Sequence, residues 1–277
     1  MKKIAVVFSA TLAVAASFAD IHLPSPEKTG GKPLMVALSQ RKSTRAFSSK
    51  SLSPKTLSSL LWAANGISRP DGRRTAPTGR NVQDTDVYVM LADGIYLYDA
   101  KENILKIVNP GDHRHLAGLQ DFPQTAPVNL FYVHDAKRAM KTAERDIMRY
   151  AGVHSGAIMQ NVYLFCASEN LACVTRAMLD FDALAKALKL LPSQSVVLGH
   201  SVGYFPEDGY IGREAAIRAA LAHAGLERGA VRDLDCELDR EGGVMVYEID
   251  FESGRKEYEY DIDAKTGAVL KAKNERD

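Results

Sequence analysis

The feature that most constrains the fold is a long run, residues 152–174, whose middle is apolar on nearly every side. It reads GVHSGAIMQNVYLFCASENLACV, and it predicts a helix. A helix without a polar face lies at the centre of a domain or at an interface between subunits. The rest of the chain, or a second copy of it, must therefore cover this helix.

Strands are predicted on both sides of this helix. The segment DVYVMLADGIYLYD contains two β-rich runs around Asp93-Gly94, which is a strong signal for a hairpin turn. NILKIV predicts a third strand, residues 124–134 contain another that is buried, and SVVLGHSVGYF predicts a further buried strand that ends near Pro206. Strands and helices mixed in this order predict an α+β domain.

Two helices are predicted before the first strand. Residues 34–40 form a short one, and LSPKTLSSLLWAANG forms the clearest helix in the chain. In the second, Ser53 can cap the N-terminus, Pro54 suits the first turn and Gly66 can end the helix. Residues 20–33 are rich in proline and glycine and predict an extended lead-in.

The pattern changes after Pro206, where we place a domain boundary. REAAIRAALAHAG predicts a helix ended by Gly225, and three strands follow it, the last beginning at GAVL. Alternating apolar residues give two of these strands one buried face each: Met245, Tyr247, Ile249 and Phe251 in the first, and Tyr258, Tyr260 and Ile262 in the second. Residues 207–277 are therefore predicted to form a small α+β unit with its own core.

Composition excludes several classes of protein. The chain has 277 residues, 46% of them hydrophobic and 25% charged, with a formal net charge of +1. This is an ordinary globular composition without a global field for nucleic acid or an acidic membrane, so any anion site must be local. Three widely spaced cysteines, Cys166, Cys173 and Cys236, predict buried small side chains rather than a disulfide framework or a zinc site.

The first residues predict export from the cytoplasm. Lys2 and Lys3 precede an apolar stretch, residues 4–16, and Ser17-Phe18-Ala19 forms a small-x-small cleavage signal. We interpret residues 1–19 as a signal peptide that is cleaved before Asp20, in preference to an uncleaved anchor. The mature protein is then expected to be periplasmic or secreted.

One short segment concentrates positive charge. RKSTRAF, residues 41–47, places Arg41, Lys42 and Arg45 within five residues, together with two hydroxyl groups. Arginine offers a planar fork of donors that suits phosphate, and lysine adds a point charge. On charge alone this cationic segment fits either a solvated surface run or a site for an anion.

A second segment changes the balance. APTGRNVQDTDVYVM, residues 76–90, places a Pro-Thr-Gly turn before Arg80, Asn81, Gln83 and a strand. Together the two segments resemble the flavin-dependent nitroreductase family, especially its SagB-type (ThcOx-like) dehydrogenase branch. That family has an Arg-x-Ser-x-Arg element after its first helix and a Pro-Ser-x-x-Asn-x-Gln element before its first strand. The resemblance continues in order through residues 34–206, although Thr78 stands where serine is usual.

The resemblance implies a nitroreductase-like FMN-binding fold, in which a central, mostly antiparallel sheet is flanked by helices, and a homodimer with flavin at its interface. It implies three groups of site residues. Arg41, Lys42, Ser43 and Arg45 would hold the phosphate, the ribityl chain and the pyrimidine edge of FMN; Pro77, Thr78 and Asn81 would approach the same flavin from the other subunit; Val174, Thr175 and Arg176, in a loop after the long helix, would pass the flavin N5 edge. Members often carry a further basic pair near the end of the domain, which VGYFPEDGY lacks. Arg213 is the nearest candidate for it in the sequence.

The C-terminal unit resembles a PepSY domain, in its helix REAAIRAALAHAG, its strand VMVYEIDF and its ending YDIDAKTGAVL. Such domains are mostly exported or membrane-associated and are linked with regulation of neighbouring domains, which implies a partner protein in the cell envelope. We expect a secreted oxidoreductase that moves hydride or electrons between non-covalent FMN and a small organic substrate, with an unknown electron donor. The alternative is a non-catalytic binding or regulatory protein that uses PepSY and has a degenerate flavin site.

Three further motifs suggest other kinds of site, but each has a feature that argues against it. Residues 199–203, GHSVG, fit the G-x-S-x-G nucleophile elbow, but Pro206 and Gly209 follow where that motif needs a helix. DAKTGAV nearly matches a signal for covalent FMN attachment, yet Val269 occupies the acceptor position and has no hydroxyl group. His113 and His115 are interpreted as residues of a surface loop rather than metal ligands.

Overall fold

A computed structural model of the chain describes residues 19–139, 142–206 and 209–276. The predicted signal peptide, residues 1–19, lies outside the described residues except for Ala19. Across those three ranges, no helix has the length and apolar character needed to cross a membrane.

Seven strands form the sheet of the larger unit. They are β1 (Ile21–His22), β2 (Thr85–Met90), β3 (Gly94–Asp99), β4 (Ile104–Pro110), β5 (Val128–Asp135), β6 (Leu171–Arg176) and β7 (Gln194–Tyr204). Their order is β1-β4-β3-β2-β5-β7-β6, and every neighbouring pair is antiparallel. The predicted hairpin is confirmed as β2 and β3.

Five α-helices of the larger unit flank this sheet: α1 (Leu34–Gln40), α2 (Pro54–Asn65), α3 (Phe122–Thr125), α4 (Glu144–Ser168) and α5 (Phe181–Ala187). The start and end of α2 are as predicted. Ser53 Oγ accepts from the Thr56 N–H at 3.0 Å, and the Gly66 N–H donates to the Trp62 carbonyl at 2.8 Å. These bonds satisfy backbone groups that the helix ends would otherwise leave unpaired.

The long apolar run divides into two elements, which corrects the sequence prediction. Helix α4 begins at Glu144, before the predicted start, and ends at Ser168, while the last residues of the run form β6. Asn170, in the left-handed region with φ 55°, makes the turn between them. Periodicity alone cannot separate a buried helix from a buried strand that follows it at once.

The sheet is buried on both faces. Val87 and Val89 of β2 belong to a core beneath α2 and α4, whereas Tyr88 and Met90 belong to a second core beneath α5. This division follows from the alternation of side chains along a strand. Helix α4 thus lies against the sheet with part of its surface still exposed, as the predicted central or interfacial helix requires.

The smaller unit has one helix on a four-stranded antiparallel sheet. Its elements are α6 (Arg213–Ala224), β8 (Arg232–Glu241), β9 (Val244–Ser253), β10 (Lys256–Asp263) and β11 (Val269–Arg276), in the order β11-β10-β9-β8. Ile217, Ile249 and Ile262 lie in a separate core, as predicted, and Gly225 ends the helix at φ 68°. Three strands were predicted; β8 was missed because acidic residues alternate with its few apolar ones.

Candidate functional site

The cationic segment leaves α1 and runs in extended form beside β6, the edge strand of the larger sheet. The Thr44 N–H donates to the Cys173 carbonyl at 2.8 Å, and the Ser48 N–H donates to the Tyr204 carbonyl at 3.0 Å. These bonds fix the backbone at the middle of the segment and just after its end. The side chains of Arg41 and Arg45 are exposed.

Tyr163 of α4 ties the middle of the segment to β6. Its hydroxyl lies 2.9 Å from Ser43 Oγ and accepts from the Thr175 N–H at 3.0 Å. Because the phenol oxygen accepts from a backbone donor, its own proton is available to Ser43. Arg41 lies over the Tyr163 ring, with Cζ 5.1 Å from the centroid. One side chain therefore positions three elements.

The three cations of the segment have no acidic partner among the described residues. Arg41 and Lys42 lie instead over the rings of Tyr163 and Phe205, the latter at 5.6 Å. A solvated charge run is usually interspersed with carboxylates, whereas a run kept clear of them retains a positive local potential. The arrangement therefore favours an anion site.

Two cavities border the segment. The first, of about 560 Å³, lies towards α4 and is lined by Arg41, Lys42 and Tyr163. The second, of about 340 Å³, lies between the larger and smaller units, and we call it the junction cavity. The lining of the junction cavity includes these polar or charged residues: Lys42, Ser43, Thr44 and Arg45 from the cationic segment, and Tyr210, Arg218 and Lys265 from the smaller unit.

The second sequence element is a strained turn. Arg80, Asn81 and Gln83 all have φ between 48° and 56°, a region that residues other than glycine seldom adopt. Side-chain bonds hold the turn: Thr78 Oγ1 accepts from the Gln83 N–H at 3.0 Å, and Gln83 Oε1 accepts from Nε of Arg74, which precedes the turn, at 2.9 Å. Strain held in this way is typical of functional loops.

A buried histidine, His154, anchors the same turn. The Gly79 N–H donates to His154 Nε2 at 2.9 Å, and His154 Nδ1 lies 2.7 Å from Asp84 Oδ1. Because Nε2 accepts, the ring proton is on Nδ1 and is donated to Asp84. His134 Nδ1 lies 3.5 Å from the other oxygen of Asp84, and burial lowers the pKa of His134. Nothing in the sequence indicates that Asp84 or Gly79 would be a partner of His154.

The two sequence elements lie at different points along α4. His154 holds the 77–83 turn and Tyr163 holds the cationic segment, and nine residues of helix separate them, which is about 14 Å at 1.5 Å per residue. Large apolar side chains are exposed nearby: Met148 and Val153 on α4 are 62% and 60% exposed, and Met35 on α1 is 74% exposed. A single chain thus leaves Pro77, Thr78 and Asn81 apart from Arg41 and Arg45, beside an uncovered apolar surface.

Val174, Thr175 and Arg176 lie in β6, and not in a loop as the sequence analysis expected. Arg176 is buried and donates to Asn129 Oδ1 at 2.9 Å, to Ser201 Oγ at 2.7 Å and to the Ala117 carbonyl at 2.8 Å. Burial lowers its pKa to about 9. The guanidinium is thus engaged within the protein, joining β6 to β5 and β7.

The same guanidinium explains the G-x-S-x-G motif. Residues 199–203 lie inside β7, so no nucleophile elbow forms and the exclusion of a hydrolase site agrees with the structure. A Cβ on Gly199 would lie 3.1 Å from Arg176 Cζ, and a Cβ on Gly203 would lie 2.7 Å from Pro127 Cδ. Ser201 Oγ accepts from Arg176 and donates to Asn129 Oδ1 at 2.6 Å. The two glycines therefore leave room for Arg176 and Pro127, and the serine bonds to buried polar neighbours.

Three minor features of the sequence have a defined place in the structure. The three cysteines are buried and free. After β4, His113 is half-buried and His115 is exposed. The described part of the chain contains no group of His, Cys, Asp and Glu side chains arranged to hold a metal ion. Arg213 does not line either cavity beside the cationic segment; its guanidinium lies 3.6 Å from Asp235 in the smaller unit.

The chain is similar to known proteins over both units. A nitroreductase family model matches residues 38–204, and a model of the peptidase propeptide and YPEB domain (PepSY) matches residues 210–273. A protein of Methanocaldococcus jannaschii described as a nitroreductase is 27% identical over 181 residues, which span 62% of this chain and 90% of that protein.

Solved structures give the same result for the fold. A crystal structure from Ralstonia eutropha JMP134, described as a nitroreductase, has a TM-score of 0.66 at 37% identity and covers 70% of this chain and 93% of its own. Another, from Anabaena variabilis ATCC 29413, has a TM-score of 0.59 at 20% identity over 72% of this chain, with 45% of its own chain matched. The chain belongs to the nitroreductase family, and its C-terminal unit is a PepSY domain. The predicted fold class is confirmed.

Proposed function

We propose that the protein is an FMN-dependent oxidoreductase that binds its flavin non-covalently between two copies of the chain. The family supports oxidoreductase chemistry. The observation that carries the cofactor assignment is the cationic segment, which places three cations beside two cavities without an acidic partner among the described residues.

The residues of the segment fit the acidic and polar parts of FMN. Arg41 and Arg45 offer guanidinium forks for the phosphate or for the carbonyl groups of the pyrimidine edge, Lys42 adds a positive charge, and Ser43 adds a hydroxyl. When bound, FMN would supply the hydride and electron transfer, while the chain binds it, orients it and limits access of water. An electron donor would be oxidised and an acceptor reduced by the same two electrons, and the small organic substrate would be one of these two.

The other two groups of residues complete this site. Pro77, Thr78 and Asn81 of a second copy would approach the flavin, which agrees with their distance from the cationic segment along α4 and with the exposed apolar side chains of α1 and α4. At the N5 edge we assign Val174, Thr175 and Arg176. Their contribution there is the backbone of β6, because Arg176 is engaged internally and Thr175 Oγ1 donates to the Gly199 carbonyl at 3.1 Å.

We place the protein outside the cytoplasm, either periplasmic or secreted, on the basis of the PepSY domain and the predicted signal peptide, residues 1–19. PepSY would then contact a regulatory partner in the cell envelope. Assignment to the SagB-type branch rests on the sequence resemblance in the two elements. N-terminal sequencing of exported protein tests the location: we expect Asp20 as the first residue, and an intact Met1 on soluble cytoplasmic protein would contradict it.

The visible absorption spectrum of purified, dialysed protein tests the cofactor assignment. We expect the bands of oxidised flavin, the release of FMN rather than FAD on denaturation, and bleaching of the bands by a reductant under anaerobic conditions. A folded protein that is colourless and takes up no FMN on reconstitution would instead support a non-catalytic binding protein that acts through PepSY.

A further inference from the structure

The junction cavity receives positive charge from both units. Lys42 and Arg45 enter its lining from the cationic segment, and Arg218 of α6 and Lys265 of the turn between β10 and β11 enter it from the PepSY domain. No carboxylate occurs among the described residues that line it. A cavity lined by cations from two separately folded parts is suited to a compact anion such as a phosphate group.

Arg218 is held in place by aromatic packing. Its Cζ lies 5.9 Å from the centroid of the Phe122 ring, and Phe122 stacks on Phe47, the last residue of the cationic segment, at 6.5 Å. The residue is half-buried, and both burial and the charge of Arg45 lower its pKa. A guanidinium that lies over an aromatic ring keeps its N–H donors available to an anion, because those donors point outward in the plane of the guanidinium.

Arg218 and Arg45 have no counter-charge in contact. Within the described ranges, neither Arg45, Arg218 nor Lys265 forms an ion pair; Glu214 and Asp121 influence Arg218 only from a greater distance. Two guanidinium groups that line one cavity repel one another, and an anion between them offsets that repulsion. No described residue of the lining supplies a carboxylate to balance these cations, which favours a negatively charged ligand there.

Backbone groups add to the positive potential. Helix α6 has twelve residues, no side chain caps its N-terminus, and Ala215 in its first turn lines the junction cavity. A helix N-terminus of this kind favours an anion. The turn that carries Lys265 is bonded to the start of the PepSY domain, because the Ile211 N–H donates to the Ala264 carbonyl at 2.6 Å.

We propose that Arg218 and Lys265 of the PepSY domain complete the phosphate site of the flavin, in the role of the basic pair that the nitroreductase domain lacks. This inference rests on the proposed function, since it assigns part of the same FMN site. The PepSY domain is then a structural part of the cofactor site, and a partner that displaces PepSY would weaken FMN binding.

The test compares variants that remove a cation inside the junction cavity with a variant that removes a cation outside it. Arg218→Gln and Lys265→Gln remove cations of the junction cavity, while Arg213→Gln removes a cation of the same helix that lies against Asp235. The affinity of each full-length apoprotein for FMN and for riboflavin, which has no phosphate, is measured by quenching of flavin fluorescence. Circular dichroism and a thermal melt establish that each variant is folded.

We expect the wild type to bind FMN more tightly than riboflavin. Each cavity variant should bind FMN about tenfold to a hundredfold more weakly, as the loss of a charge-assisted hydrogen bond implies, with riboflavin affinity unchanged. Arg213→Gln should bind both flavins as the wild type does. Lys265 is exposed, so its variant tests the inference even if Arg218→Gln does not fold.

Three outcomes would contradict either the proposed function or this inference. If the wild type binds neither flavin, the proposed function fails. If it prefers FMN and both cavity variants keep that preference, the inference fails while the proposed function stands. If a cavity variant loses affinity for FMN and riboflavin equally, Arg218 and Lys265 act through packing, and the phosphate assignment is wrong.

Discussion

The hydroxyl of Tyr163 lies 2.9 Å from Ser43 Oγ, so a residue of α4 reaches the middle of the cationic segment. The same oxygen accepts from the Thr175 N–H. Tyr163 is buried, and its ring also lies 4.8 Å from the ring of His200. This buried hydroxyl group therefore joins the segment to β6, in addition to the backbone bond between Thr44 and Cys173.

Tyr163→Phe should destabilise the protein by about 1–3 kcal/mol, because it leaves the Thr175 N–H without its partner while the ring packing is retained. The free energy of unfolding in urea measures this effect. Tyr258→Phe is the matched control, since Tyr258 stacks on Phe251 and makes no hydrogen bond through its hydroxyl within the described residues. Equal stability of Tyr163→Phe and wild type would contradict the role given to this hydroxyl.

His154→Phe should loosen the 77–83 turn, because it removes the acceptor for the Gly79 N–H and leaves Asp84 Oδ1 with only the longer bond from the Thr85 hydroxyl, at 3.3 Å. Loss of a buried hydrogen-bonded charge partner costs several kcal/mol, of the order of 3–5. Hydrogen exchange of the amides of residues 79–83 measures the effect locally, and we expect faster exchange there than at the amides of the cationic segment. His115→Phe, at an exposed position, is the control and should leave exchange of the turn unchanged.

Much of the fold follows from local sequence signals. The Ser53 cap, Pro54 and Gly66 define α2, Asp93-Gly94 defines a hairpin, and Gly225 ends α6, because each signal acts on a few neighbouring residues. Helix α4 and β6 were joined in the prediction because both are apolar and adjacent, so no change of period marks the boundary. Strand β8 was missed because it has few apolar residues, so no apolar run marks it in the sequence.

The site was predictable in part. The cationic segment and the 77–83 turn stand out in the sequence through charge and turn residues. Their anchors do not, because Tyr163 and His154 have ordinary side chains whose partners are distant in the chain. Arg218 could not be distinguished from Arg213, since both lie on one predicted helix and only packing against Phe122 directs Arg218 into the junction cavity.

Acid should destabilise the protein through His200. This ring is fully buried, its Nδ1 lies 2.9 Å from the Tyr132 hydroxyl, and burial together with the charge of Arg176 lowers its pKa to about 3. The unfolded chain, with a pKa near 6.5, binds the proton first, so stability is complete above about pH 6.5 and falls as the pH decreases towards 3, by up to about 1.4 kcal/mol per pH unit.

Urea unfolding between pH 4 and 7 measures this slope. His200→Asn should unfold more easily at every pH because it leaves a cavity, yet its slope should be smaller by about one proton. His115→Asn, which changes an exposed ring, should keep the wild-type slope. An unchanged slope in His200→Asn would show that other buried groups, such as His134, account for the acid sensitivity.

A truncated chain, residues 20–206, should fold and form a dimer without the PepSY domain. The core of PepSY, around Ile217 and Ile249, shares no buried residue with the two cores of the larger sheet, so each part can be stable alone. Size-exclusion chromatography with light scattering measures the dimer. Aggregation of the truncated chain, or a monomer, would contradict the independence of the two parts. If the truncated chain binds riboflavin as tightly as the full chain does, the flavin site itself is intact.

Arg41→Ala and Arg45→Ala should purify folded but with weaker FMN binding. Exposed charges contribute little to stability, whereas each charge-assisted bond to the cofactor is worth about 1.5–3 kcal/mol, so the dissociation constant of FMN should rise about tenfold to a hundredfold or more. Arg41→Lys should recover part of the affinity, because lysine keeps the charge but lacks the planar fork. Lys101→Ala, whose side chain lies near Glu102 in a distant turn, is the control. Titration of FMN into the apoproteins decides between the two readings of the cationic segment: unchanged affinity in both arginine variants would return it to a solvated run of surface charge.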